Sequence, residues 1–219
     1  MEMTTEVSSQ SVHFTEKVLE TLRSQLVDVS GNGATYKGVI TAQQLVEVAR
    51  LIPKEELEEM VNDIPPIKDF VELAKREPST LFLVNVLMDE CVIVEAVLIP
   101  MDRAKELVRP LVKKLEKQLL QPDEILPVVE VEREGKKMFV QPPFIGKMFS
   151  WPTMAESAGN EEEEYEDEEE ILYKVEYGCD ELPVVWDDIL TWEKEVRLTC
   201  EEYESLVAKG KAYIMLWWD

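Results

Sequence analysis

The sequence has one histidine, eight glycines, three cysteines and no apolar run near the length of a membrane span, and each shortage closes off a class of function. A Ser/His/Asp or Cys/His catalytic arrangement would have to use His13. That residue borders a polar N-terminal stretch where a base finds neither burial nor an orienting partner, so it reads as a surface residue. Histidine-rich metal sites are excluded with it. Neither GxxxxGK[ST] nor GxGxxG occurs, and so few glycines leave little material for a phosphate-cradling loop, which disfavours nucleotide hydrolysis and dinucleotide binding. Cys91, Cys179 and Cys200 are widely spaced and form no CxxC pair. They suit neither a zinc site nor a disulfide framework and are read as three thiols in a reducing compartment. No metal and no cofactor is expected. A bilayer crossing takes about 20 consecutive apolar residues, and the opening MEMTTEVSSQ is polar and acidic rather than basic and then apolar. The expectation is a soluble cytoplasmic protein without a signal peptide or a membrane partner.

What the chain does have is negative charge: 46 Asp and Glu against 23 Lys and Arg, a formal −23. Residues 1–155 carry −7 of it and residues 156–219 carry −16, so the last third holds most of the excess. Duplex nucleic acid is bound by neutralising its phosphates with Lys and Arg, and a surface of this sign repels it. The same field attracts a protein partner with a basic surface, including one whose nucleic-acid-binding groove the acidic surface would fill. Four Asn and seven Gln beside abundant Glu, Lys, Val and Leu lean toward a thermophile. Such a chain suits a viral or mobile-element accessory protein, for which the compartment would be the host cytoplasm.

Residues 1–12 lack apolar periodicity and read as a disordered arm. Residues 13–153 read as an α+β core domain. Phe14, Val18, Leu22 and Leu26 recur every fourth residue, predicting a helix that runs to Ser30-Gly31-Asn32-Gly33. A strand from Ala34 to Ile40 follows, then a helix opened by a Thr41/Gln44 capping box and ended at Pro53. Pro53 at a first helical position predicts a third helix through Ile64, and Pro65-Pro66 precedes a fourth from Ile67 to about Lys75. Two apolar β-branched runs, Thr80–Met88 and Cys91–Ile99, are separated by Asp89-Glu90 and read as a hairpin buried on both faces. A helix over Met101–Leu120 is expected to kink or split at Pro110. A second hairpin, Val128 to Val140, turns at Glu134-Gly135-Lys136 with one face wet. Residues 154–170, with nine acids in the ten positions 161–170, read as an acidic linker or loop. Residues 171–219 read as a C-terminal aromatic β-rich segment that docks on the core or forms a small subdomain. Its expected parts are a strand at Ile171–Tyr177, extended runs near Pro183–Thr191 or Val196–Thr199, a helix at Cys200–Lys209 and a strand at Ala212–Trp218. The fold class is therefore α+β, a helical N-terminal part packed on an antiparallel sheet with this segment after the linker.

Two surfaces are candidates for binding. Glu161, Glu162, Glu163 and Glu164 head the acidic run and would tether a basic partner, and Trp217-Trp218 have the aromatic character of binding hot spots. The catalytic alternative is Asp123 with Glu132 or Glu134 and Lys136. This set loosely resembles the acid, acid-x-lysine pattern of metal-dependent nucleases of the PD-(D/E)xK type. The resemblance implies that the carboxylates hold Mg²⁺ while the lysine orients the attacking water; Glu134-Gly135-Lys136 reads more simply as a hairpin tip whose charged residues face water. The element order over roughly residues 13–99 also resembles a winged helix. It departs from that family in the extra helix at 67–75 and in a would-be recognition helix that carries Glu55, Glu56, Glu58 and Glu59, a charge that phosphates repel. The reading of the whole is a non-enzymatic, acidic interaction or regulatory protein. A structural assembly protein is the further alternative.

Overall fold

The computed structural model describes residues 13–116, 120, 122–141, 184–191 and 195–218. The arm at 1–12, the acidic run at 154–170 and the expected strand at 171–177 lie outside the described residues. The rest is an α+β structure. In chain order come α1 (Phe14–Leu22), β1 (Val27–Asp28), β2 (Thr35–Thr41), α2 (Ala42–Val48), α3 (Lys54–Glu58) and α4 (Ile67–Arg76). They are followed by β3 (Leu81–Leu87), β4 (Cys91–Pro100), α5 (Met101–Glu116), β5 (Glu124–Arg133) and β6 (Lys136–Gln141). The chain then gives β7 (Val185–Asp188), β8 (Glu195–Arg197), α6 (Cys200–Ala208) and β9 (Ala212–Trp217).

Local chemistry accounts for most of these boundaries. Thr41 accepts from the Gln44 N–H while the Gln44 side chain accepts from the Thr41 N–H, so α2 starts on the reciprocal pair its spacing predicts. The same device, Thr199 with Glu202, opens α6. α1 stops at Leu22, earlier than its periodicity predicts, yet Leu26 remains in the core because the chain after the helix folds back over β2. Gly38 makes that crossing possible, since a Cβ there would lie 2.3 Å from the Gln25 carbonyl oxygen. α5 passes through Pro110 as one helix, with the proline on its exposed side. The β5–β6 turn uses Glu134 at φ 53° and Gly135 at φ 73°, the left-handed pair that a two-residue hairpin requires. Its strands are not wet on one face as expected: β5 is buried on both faces along most of its length, and exposure is confined to the turn end.

The nine strands form one sheet in the order β1-β2-β3-β4-β9-β5-β6-β7-β8, and every neighbouring pair is antiparallel. The late strand β9 sits at the centre, pairing Val97 with Leu216 on one side and Ile125 with Leu216 on the other. The β3–β4 hairpin is flanked by β2 and β9, so it is an interior part of the sheet and not the wing of a winged helix.

Helices cover one face. Phe82, Val84, Val97, Ile99, Ile214 and Leu216 of the sheet pack with Val18 and Leu22 of α1, Leu45 and Val48 of α2, Phe70 and Leu73 of α4 and Val108 and Val112 of α5. Further along, Tyr203 of α6 joins Val129, Val140, Trp186 and Val196. The other face carries a second apolar cluster, Leu83, Leu98, Leu126, Val128, Phe139, Tyr213 and Met215, with Ile189 from the turn after β7. None of the described helices contributes to it. At one end of this face the pairing register of β3 and β4 shifts between Leu83 and Val84, leaving Glu95 as an extra residue in a bulge. Glu95 there accepts from Lys37 Nζ at 2.8 Å and Asn85 Nδ2 at 2.6 Å.

The cysteines depart from expectation. Cys200, at the first position of α6, is disulfide-bonded, and Cys91 is free. The three cysteines are therefore not the three free thiols that the sequence predicts.

Candidate functional site

The two tryptophans singled out from the sequence follow the alternation of β9 and do not form a joint surface. Trp218 is a core residue: its indole N–H donates to the Leu120 carbonyl at 3.1 Å and its ring meets Phe70 edge-on at 5.5 Å. Trp217 is half-buried at the margin of the second apolar cluster. Glu161, Glu162, Glu163 and Glu164 lie outside the described residues.

The four residues of the nuclease-like set stand at opposite ends of β5. Asp123 precedes the strand, with its N–H donating to the Trp217 carbonyl, while Glu132 is near its far end and Glu134 and Lys136 flank the hairpin tip. Eight residues of extended chain from Glu124 to Glu132 span roughly 26 Å, several times the width of a shared metal site. All four are exposed. Among the described residues no three or more His, Cys, Asp or Glu are grouped so as to hold a metal ion.

A different set of carboxylates acts on one side chain, Cys91, at the end of the sheet where β3 turns into β4. The turn is fixed from below. Asp89, at φ 62°, donates its N–H to Thr15 Oγ1 at 3.2 Å, and Met88 donates to the Ala34 carbonyl. Thr15 is itself held by His13, whose Nδ1 caps α1 by accepting from the Thr15 N–H and lies 2.8 Å from its hydroxyl. The lone histidine is thus a helix cap. α3 supplies the other charges. It is one short turn after Pro53 with no fully buried residue, held by Leu57 against the core, with Glu55 and Glu58 exposed and Glu56 half-buried.

Glu90 from the turn, Glu56 of α3 and Glu59 just after it all lie close enough for their charge to act on Cys91. Burial pushes the Cys91 thiol up, and the three negative charges push it further in the same direction. Beside them Met60 is 52% exposed. Among the described residues, none of Glu55, Glu56, Glu58, Glu59 and Glu90 has an ion-pair partner. Several cations of the sheet and its helices, by contrast, are taken up by other acids. Lys37 pairs with Glu95, Lys137 and Lys211 with Glu130, Arg103 with Glu77, and Arg133 with Glu202. Runs of like charge were visible in the sequence of α3. Their joint action with Glu90 on Cys91 was not, because it depends on where the tertiary fold sets α3 relative to a turn about thirty residues further along the chain.

In comparisons with protein-family models, curated proteins and solved structures, the chain matches none.

Proposed function

We propose that this is a non-enzymatic interaction or regulatory protein that binds another protein presenting a basic surface. The observation that supports the reading best is the uncompensated charge of α3 and the β3–β4 turn. Glu90, Glu56 and Glu59 act together on the Cys91 thiol, Glu55 and Glu58 add charge to the same short segment, and Met60 next to it in the chain is exposed. Like charges held this close repel one another, and a partner bringing Lys or Arg would relieve the repulsion while Met60 adds apolar contact. In the same reading Glu161 to Glu164 serve as a second, linker-borne acidic contact before the C-terminal segment, and the protein acts in the cytoplasm of a thermophile or of a viral host. Among the described residues no helix is long and apolar enough to cross a membrane.

The test uses the full chain as bait in extract from the native host. Three baits are compared: wild type, a variant with Glu55, Glu56, Glu58 and Glu59 changed to Gln, and one with Glu161 to Glu164 changed to Gln. The expected result is a protein of high isoelectric point that is retained by wild type at about 0.15 M salt, lost from the α3 variant, and released as screening tightens toward about 1 M. A partner without excess basic charge, or one held equally by all three baits at both salt levels, would overturn the reading.

A further inference from the structure

We draw no further inference here: the strongest candidate, the second apolar face of the sheet around Leu83, Leu98, Met215 and Phe139, carries nothing because no described helix packs on it and nothing in the structure shows what covers it.

Discussion

Cys91 is a residue on which burial and charge act together. A thiol attacks an alkylating reagent as the thiolate, so a group held protonated by burial, Glu90, Glu56 and Glu59 reacts slowly at neutral pH. Changing the three glutamates to Gln should speed iodoacetamide labelling of Cys91 severalfold, read by mass spectrometry on the folded protein. An unchanged rate would mean that the carboxylates do not act on the thiol. The same group has a consequence for stability. Burial is the largest cause raising Cys91 above its ordinary 9.0 and Tyr203 and Tyr213 above their ordinary 10.0. The unfolded chain therefore loses these protons first as pH rises. The contribution is whole below pH 9.0 and is lost as pH climbs through the folded values. Denaturant midpoints should fall as pH rises from about 9 to about 11, and Cys91→Ala should remove part of the fall. Asp28 has the opposite sign. The Ser30 hydroxyl, with the N–H groups of Gly33, Gly31 and Ser30, holds its carboxyl below 3.8, so its contribution is present above that pH and lost on acidification. Gly38 tests packing instead of charge. Its Cβ would collide with backbone, which cannot rotate away, so Gly38→Ala should cost about 2 kcal/mol or more in urea unfolding.

At the scale of elements, the legible features were those whose cause lies within a few residues. The Thr41/Gln44 box could be read directly, and Thr41→Ala should lower stability by about 1 kcal/mol while Thr41→Ser keeps most of it, measured by urea midpoint. The β3–β4 and β5–β6 hairpins were legible from β-branched runs broken by acidic or Gly-containing turns. α3 was overextended. Its pattern continues to Ile64, but Asn62 and Asp63 adopt φ 50° and 63°, and Val61 bridges to Ile64, so the chain turns where periodicity alone continues the helix. Asn and Asp tolerate that region because their side chains bond locally, a signal that the apolar spacing of Leu57, Val61 and Ile64 outweighed. The acidic site was half legible for a related reason: α3 declared its charge, whereas Glu90 and Cys91 joined it only through tertiary packing.

Across the whole molecule, the strand order was the least legible property, because β9 pairs with β4 and β5 from roughly a hundred residues away and no local pattern encodes such a pairing. The net charge was fully legible and has a direct consequence. At about 0.15 M salt, where the Debye length is about 8 Å, the protein should give no shift of duplex DNA in a gel at micromolar concentration. A salt-sensitive shift would show that the few cations gather into a face that overrides the total.

The central place of β9 sets an order of assembly. Strands β1 to β4 and β5 to β8 are each joined by antiparallel neighbours, but the two groups have no shared edge until β9 enters between them. Before that moment β4 and β5 each present a row of unsatisfied backbone donors and acceptors, the kind of edge that recruits foreign strands. A chain cut after Gly210 should therefore aggregate rather than fold. A synthetic peptide carrying residues 211–218, added during refolding, should rescue it by supplying the missing strand in trans, as donated strands complete other open sheets. Recovery of the native circular dichroism spectrum with this peptide and not with a scrambled one would make the molecule a two-piece system whose reassembly can be timed by mixing.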